Sequence, residues 1–362
     1  MASPPGPPYS AEGVKVRVMG ERAIYPGIRF GYALEEGVEG LFYCWVREVV
    51  RGGERFRRDV PWRYWRVSWD EDAYTEFREA RLVRPPGLNT LSLRSRAVFR
   101  YGVFQLLARL PRWSGGPMLW FGFEAEDLFG GGVVHFMFRD GELRAFAGAW
   151  GAEPLSMRLP GLPGDYHSRR HTYTVKVHSG LALWFIDSSL RGVAVLVDSG
   201  DPVVVWEGPP YSVGITPVRP ASSLGVLIDI DGGPVDREWV WDDIHPWQVR
   251  VMEGDPRPSL AVKLHRYGSE EHLEGAEVGE PVIAHPLPAM GARPTIVFKA
   301  SVSGVVRFEA LTLAGSWEEI DEVELKAGEP LYYEVGVSAP FIRLAFEPRG
   351  SGRIKVAEAY VS

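Results

Sequence analysis

The sequence predicts an all-β protein: a jelly-roll β-sandwich followed by a smaller C-terminal β-sandwich. Short segments in which apolar and polar residues alternate recur along the 362 residues, and 41 Gly and 29 Pro separate them. A helical period is hardly visible, and many short strands joined by Gly/Pro turns are typical of sandwiches and barrels. The length allows two or three domains.

The strand pattern divides the chain into four segments. We predict a flexible N-terminal segment at 1–13, N-terminal strands at 14–64, the jelly roll at 65–253 and the C-terminal β-sandwich at 254–362. The strands of 14–64 either complete the main sandwich or form a small subdomain. The Pro- and Gly-rich run that begins at Gly254 marks the predicted boundary before the last segment.

Composition and charge are those of an ordinary globular protein. The chain is 45% hydrophobic and 24% charged, which excludes a disordered chain. A net charge of −7 argues against nucleic acid as the main partner. The 13 Trp fit sheet packing, and exposed Trp also binds sugar rings. Scarcity of amides, with Asn89 as the only Asn, is typical of a hyperthermophile.

No targeting or membrane segment is visible in the sequence. The N-terminal segment lacks the apolar stretch of a signal peptide, and no run of about 18 apolar residues predicts a membrane span. We therefore expect a cytoplasmic protein by default. Cys44 is the only cysteine, so no intrachain disulfide forms, and we expect it to be a small buried hydrophobe.

The stretch 97–148 organises the rest of the chain and predicts three or four successive strands. Around Leu119 the apolar residues alternate, and side chains in a strand alternate between its two faces. One predicted face carries Leu119, Phe121, Phe123 and Ala125, and the other carries Trp120, Gly122, Glu124 and Glu126. We expect the first face to pack in the core. The second face would present the indole of Trp120 and the carboxylates of Glu124 and Glu126, with no side chain at Gly122 between them.

Four motifs, in order, resemble the concanavalin A-like lectin/glucanase superfamily and its laminarinase-type glucanases. They read YGVFQLLARLP, PMLWFGF, HTYTVKVHSGLALWFIDSSL and WVWDDIHPWQVRVME, and all four lie within the predicted jelly roll at roughly 65–253. The resemblance implies a jelly roll of two curved antiparallel sheets with ligand bound on the concave face. It also implies a structural role for His171, which precedes a TYT run.

The catalytic pattern of this superfamily is broken here. Its hydrolases carry Glu-x-Asp-x-(x)-Glu, with the first Glu as nucleophile and the last as acid/base, and retaining chemistry needs two carboxyls about 5–5.5 Å apart. With Glu124 as nucleophile, Leu128 or Phe129 falls on the acid/base position. With Glu126 placed last, Gly122 falls on the nucleophile. Neither register restores the trio.

The two glutamates allow another pairing. Glu124 and Glu126 stand two residues apart on one strand, so their Cα atoms lie ~6.5–7 Å apart on the same face, and one carboxyl could hold a proton near neutral pH. Trp120 shares that face, and His135 joins it if the next strand pairs antiparallel. These four residues would form a sugar-binding groove. The alternative is that both glutamates are simply the polar side of a strand.

Metal-binding motifs are weak. The run from Asp229 through Asp231 to Gly233, with Asp236 beyond it, is similar to a calcium loop. An EF-hand is ruled out because Val240 occupies the place of the final bidentate Glu. We therefore expect no cofactor, and only a structural calcium at the sandwich edge stays open.

Three functions follow from these observations. The first, which we favour, is a noncatalytic carbohydrate-binding or recognition protein on a glucanase-like scaffold, with a glycan or polysaccharide as partner. The second is a glycoside hydrolase that acts on a polysaccharide through Glu124 and Glu126. The third is a structural β-sandwich protein of a virion, appendage or cell surface, which would form a homo-oligomer.

Overall fold

The structure is a computed structural model. It describes residues 16–25, 28–35, 38–45, 65–69, 77–78, 81–84, 90–95, 102–112, 115–125, 132–149, 153–177, 180–187, 189–218, 224–231, 239–240, 249–253, 260–289 and 294–361. Side chains are described at 104, 106, 108–112, 115–123, 132–148, 153–177, 180–187, 189–218, 263–289 and 294–360. The sequence Arg51-Gly52-Gly53-Glu54 is typical of a hairpin turn. It lies outside these ranges, as does the predicted boundary run at Gly254.

Three strands near the N-terminus form a sheet of their own. They are β1 (Val16–Tyr25), β2 (Ile28–Glu35) and β3 (Val38–Trp45), and they pair antiparallel in the order β1-β2-β3. The strands predicted for 14–64 are thus present. Among the described strands they hydrogen-bond only to each other, and β3 lies beside the strand Val249–Glu253 of the main sandwich.

The next seventeen strands build the jelly roll. They are β4 (Trp65–Trp69), β5 (Phe77–Arg78), β6 (Arg81–Arg84), β7 (Thr90–Ser95), β8 (Gly102–Ala108), β9 (Met118–Ala125), β10 (Gly132–Arg139), β11 (Glu142–Ala149) and β12 (Leu155–Arg158). There follow β13 (His171–Val177), β14 (Leu181–Ile186), β15 (Ser189–Leu196), β16 (Val203–Trp206), β17 (Ser212–Thr216), β18 (Leu224–Asp231), β19 (Trp239–Val240) and β20 (Val249–Glu253).

Two seven-stranded sheets result. Sheet I has the order β12-β11-β10-β9-β18-β7-β4, and sheet II has the order β16-β17-β15-β14-β13-β8-β20. The pairs are antiparallel except β15 with β17, which is parallel. Short strands β19, β6 and β5 form a small third sheet. The prediction of an all-β chain with a concanavalin A-like jelly-roll sandwich is confirmed by this arrangement.

The four sequence motifs occupy neighbouring strands. Strand β8 carries the YGVFQLLARLP motif in its GVFQLLA part, and β13 and β20 pair with it on either side. The two halves of the HTYTVKVHSGLALWFIDSSL motif form β13 and β14, which pair antiparallel. The chain changes sheet between β8 and β9, so β9 lies in sheet I, where β10 and β18 flank it.

The core between sheets I and II is aromatic. Leu119, Phe121 and Phe123 of β9 are fully buried, as the alternation predicted. The Phe121 ring stacks on Phe136 of β10 with centroids 5.0 Å apart, and it meets Tyr173 of sheet II edge-on at 5.7 Å. Burial of such rings on both inner faces is what holds two sheets together.

The remaining ten strands form the second β-sandwich. They are β21 (Leu260–Lys263), β22 (Glu277–Val278), β23 (Val282–Ile283), β24 (Leu287–Pro288), β25 (Pro294–Ala300), β26 (Gly304–Leu311), β27 (Trp317–Leu325), β28 (Leu331–Glu334), β29 (Phe341–Pro348) and β30 (Gly352–Val361). Sheet III has the order β21-β30-β25-β28, with β22 also on β30, and sheet IV has the order β23-β29-β26-β27, with β24 also on β29. Phe298 and Phe346 meet in its core at 5.1 Å.

A third apolar cluster joins the two sandwiches. The outer face of sheet II supplies Leu183, Val193 and Val213, and sheet IV supplies Leu311 and Phe341. These five side chains are at most 1% exposed. The sandwiches therefore share a buried apolar contact.

Candidate functional site

Trp120, His135 and Phe146 form one aromatic cluster on the outer face of sheet I. His135 of β10 is paired with Gly122 of β9 on one side and with Phe146 of β11 on the other. The Trp120 ring meets Phe146 edge-on at 4.9 Å and His135 at 6.1 Å, and the His135 and Phe146 rings are near-parallel at 6.4 Å. Antiparallel pairing thus brings the predicted Trp120 and His135 together.

Gly122 leaves the space that this cluster fills. A Cβ built there would lie 2.5 Å from the carbonyl oxygen of Val134 and 2.9 Å from the Cα of His135, both backbone atoms of the neighbouring strand. Its φ of +152° is also one that side-chain-bearing residues rarely adopt. The backbone of β10 therefore requires a residue without a side chain at position 122, between Trp120 and Glu124.

Within this cluster His135 is the buried member. Its exposed fraction is 4%, while Trp120 and Phe146 are half-buried. The indole N–H of Trp184 in sheet II donates a 2.8 Å hydrogen bond to the carbonyl oxygen of His135 across the core. This bond fixes the backbone under the cluster, so His135 supports the face while Trp120 and Phe146 present apolar surface at it.

A charged network borders the cluster. Arg144 lies two residues before Phe146 on β11, and its guanidinium donates to Glu142 at 2.6 Å, to Glu207 at 3.1 Å and to the Ser156 hydroxyl at 2.9 Å. Glu207 also accepts a 2.7 Å hydrogen bond from the backbone N–H of Arg158. One oxygen of each carboxylate is thus engaged by neighbouring donors at the edge of sheet I.

The two predicted catalytic glutamates stand at the end of β9. Glu124 is in the strand, and its Cα partner on β18 is Gly225. Its side chain, and the whole of Glu126, lie outside the described residues. The pairing of their carboxyls stays a prediction. On the outer face of β10, Met137 lies opposite Trp120, and neither Met137 nor Val133 can transfer a proton.

The candidate calcium residues are partly placed. Asp229 and Asp231 lie in strand β18, opposite Trp120 and Met118 of β9, so this part of the run continues a sheet. Asp236 lies outside the described residues. Where side chains are described, no group of three His, Cys, Asp or Glu residues is arranged to hold a metal ion.

His171 anchors the hairpin that follows the long loop. Its Nδ1 lies 2.6 Å from Oδ2 of Asp187 and its Nε2 lies 3.0 Å from Oδ1 of Asp165. Asp187 also accepts a 2.8 Å hydrogen bond from the backbone N–H of Thr172. The imidazole therefore ties the loop at Asp165 to the β14–β15 turn, a structural arrangement of the kind the resemblance implied.

Sequence reasoning missed Phe146 and the Arg144 network. The signal was present, because Glu142, Arg144 and Phe146 alternate with buried Leu143, Ala145 and Ala147 along β11. The partner Glu207 could not be found this way, since it follows β16 of the other sheet.

In the described part of the chain, no helix is long and apolar enough to cross a membrane.

Comparison with known proteins gives similarity in fold. The chain matches no family model and no curated protein. Among solved structures, it is similar to the endo-β-1,3-glucanase of Pyrococcus furiosus at 12% identity and a TM-score of 0.38, over 63% of this chain and 95% of that one. The β-glucanase of Bacillus licheniformis is similar at 13% identity and a TM-score of 0.36, over 59% and 94%.

A third similar structure is the apo form of the Crh5 transglycosylase. It is 11% identical with a TM-score of 0.37, over 57% of this chain and 83% of that one. Likeness at such identities concerns fold alone. The jelly-roll assignment rests on the strand order of sheets I and II.

Proposed function

We propose that this chain binds a polysaccharide on the outer face of sheet I and does not hydrolyse it. The observation that carries the proposal is the half-buried Trp120, held edge-on by Phe146 at 4.9 Å and by His135 at 6.1 Å. Two neighbours fix the indole, so it loses little conformational freedom when a sugar ring stacks on it.

The surroundings of Trp120 favour binding over catalysis. Glycosidic hydrolysis needs one carboxyl that donates a proton and a second that attacks or activates water. Among the described side chains, Phe146 and His135 contact the indole, and Arg144 holds the carboxylates of Glu142 and Glu207 at the edge of this sheet. Asp229 lies opposite Trp120 on β18, and its side chain is outside the described residues. A sugar would meet stacking surface in the centre and hydrogen-bonding groups at the rim.

The test separates binding from turnover. Purified protein is incubated hot with β-1,3-, β-1,4- and mixed-linkage glucans, agarose and carrageenan, and both reducing ends and retention on the polymer are measured. We expect retention without release of reducing ends. Trp120→Ala should weaken retention, whereas Trp120→Phe, which keeps an aromatic ring against Phe146, should weaken it less.

Two results would contradict the proposal. Release of reducing ends that disappears in Glu124→Gln would make the chain a hydrolase that works at the end of β9. Wild-type retention in Trp120→Ala would remove this face from the binding site. Leu313→Ala serves as the matched control, because Leu313 is 62% exposed and lies in the second sandwich, far along the chain from β9.

A further inference from the structure

The outer face of sheet III presents two tyrosines to solvent. Tyr332 on β28 is 69% exposed and Tyr360 on β30 is 45% exposed, the former being the most exposed large apolar side chain that the described residues contain. Strand β25 lies between them, with Val297 opposite Tyr332 and Thr295 opposite Tyr360. We call these four residues the tyrosine face.

The spacing of the two rings follows from the register. Tyr332 and Tyr360 are two strands apart across the sheet and two residues apart along it. Strand spacings of about 4.8 Å and residue rises of about 3.4 Å place their Cα atoms roughly 12 Å apart. The tyrosine face therefore consists of two separated aromatic rings, with the side chains of Thr295 and Val297 on β25 between them.

The inner side of the sheet holds these rings in place. Tyr333, the next residue after Tyr332, stacks on Phe308 of sheet IV with ring centroids 3.6 Å apart and an interplanar angle of 9°. Ala359, the residue before Tyr360, is fully buried. Both tyrosines are thus displayed by rigid strands, so a ligand need not order a loop to meet them.

The polar groups around the tyrosine face carry both signs of charge. Lys263 donates to Glu274 at 2.7 Å, and the Tyr360 hydroxyl donates to Glu358 at 2.6 Å. That hydrogen bond raises the pKa of Tyr360, so the phenol stays protonated and uncharged at neutral pH. Glu334, on the same side as Thr295, adds another acceptor.

This pattern selects among classes of partner. A polyanion would meet Glu358 and Glu334, and Lys263 is already paired with Glu274, so a polyanion gains nothing from the field of the surface. An apolar protein partner needs a contiguous patch, and here Thr295 and charged groups separate the two rings. A neutral polysaccharide is complementary to the tyrosine face, since its sugar rings have apolar faces and uncharged hydroxyls. One chain is also long enough to contact both Tyr332 and Tyr360.

We propose that the tyrosine face is a second polysaccharide-binding site, specific for a neutral glycan. Tyr332 and Tyr360 stack on sugar rings of one chain, and Glu358, Glu334 and Lys263 hydrogen-bond its hydroxyls. The inference does not use Trp120, so it stands or fails apart from the proposal for sheet I. Two sites on one chain would also raise retention on a polymer by avidity.

The test is affinity electrophoresis in gels that contain soluble β-1,3-glucan or mixed-linkage β-glucan, with carrageenan as the anionic polymer. Wild type, Tyr332→Ala, Tyr360→Ala, the double variant and Trp120→Ala are compared. We expect each tyrosine variant to bind the neutral glucan roughly tenfold more weakly. Leu313→Ala is the exposed control, and unchanged thermal midpoints exclude unfolding of the variants.

The outcomes distinguish the two sites. Loss in the tyrosine variants with retention in Trp120→Ala supports the tyrosine face and removes the sheet I proposal. Wild-type binding in the double variant, with loss in Trp120→Ala, overturns the tyrosine face alone. Retardation by carrageenan but not by neutral glucan overturns it too, as does a wild-type dimer, seen by light scattering, that the double variant converts to monomer.

Discussion

Replacing Gly122 by alanine tests whether the gap beneath the aromatic cluster is structural. The added Cβ would meet the carbonyl oxygen of Val134 at 2.5 Å and the Cα of His135 at 2.9 Å. Both are backbone atoms of β10, so no side chain can rotate away. Strands β9 and β10 would have to separate at the point where Trp120 packs against its neighbours.

The cost can be worked from two contributions. A residue with a side chain at φ of +152° is strained by about 1–3 kcal/mol, and overpacking against fixed atoms costs about 1–3 kcal/mol more. The alanine also restricts the unfolded chain, which returns about 0.4–1 kcal/mol. We therefore expect Gly122→Ala to destabilise the jelly roll by about 1–5 kcal/mol.

The assay is urea unfolding followed by tryptophan fluorescence, with Gly164→Ala as the matched control. No atom lies within 4 Å of a Cβ built at Gly164, and its φ is not in the strained range. With a slope of about 1–3 kcal/mol per molar urea, the Gly122→Ala midpoint should fall by roughly 1 M. A midpoint equal to that of Gly164→Ala would refute the reasoning.

Three further predictions concern burial and charge. Phe341→Ala should cost about 3–5 kcal/mol, because this fully buried ring lies in the cluster that joins the two sandwiches. Trp184→Phe should cost about 1–3 kcal/mol by removing the hydrogen bond to His135. Burial lowers the pKa of His285 to about 3 from 6.5. The contribution of its neutral imidazole to the free energy of unfolding is therefore complete above pH 6.5 and is lost as the pH falls toward 3. In His285→Asn, the urea midpoint should therefore fall less between pH 7 and pH 4 than it does in the wild type.

Each of these predictions has its own control. Val204→Ala, at a 42% exposed position, should leave the midpoint unchanged where Phe341→Ala lowers it. An unchanged midpoint in Trp184→Phe would mean that the bond across the core contributes nothing net. A wild-type acid slope in His285→Asn would contradict the assignment of that loss to its imidazole. His285 donates from Nε2 to the Tyr211 carbonyl at 2.8 Å, so protonation would place charge on a buried Nδ1.

The fold could be predicted because its signals are local. Alternation in β9 assigned Leu119, Phe121 and Phe123 to the core, and each is fully buried. The pair Asp140-Gly141 is a local turn signal of the same kind, and the positive φ of both residues, 50° and 79°, is what a tight two-residue hairpin requires. The presence of a strand, and the face of the sheet on which each of its side chains lies, can be predicted from residues that are close together in the sequence.

The site was only half predictable because its contacts are not local. Trp120 and His135 share a face only if β9 and β10 pair antiparallel in a particular register, and the sequence gives no measure of that register. Glu207 reaches Arg144 from the other sheet, 63 residues away in the chain. The contact between sandwiches is likewise invisible in the sequence, since Phe341 reads as an ordinary strand residue.

The geometry at Gly122 bears on how a hydrolase could relate to this chain. In the register that places Glu126 last, the nucleophile position is Gly122, and the backbone of β10 forbids a side chain there. A carboxylate in that place would have to displace the strand that carries His135, so the pairing of β9 with β10 excludes this register. The other register keeps Glu124 and lacks only the acid/base, at Leu128 or Phe129. If any catalytic relative of this chain exists, its carboxylates should therefore follow the second register, with the acid/base just beyond the end of β9.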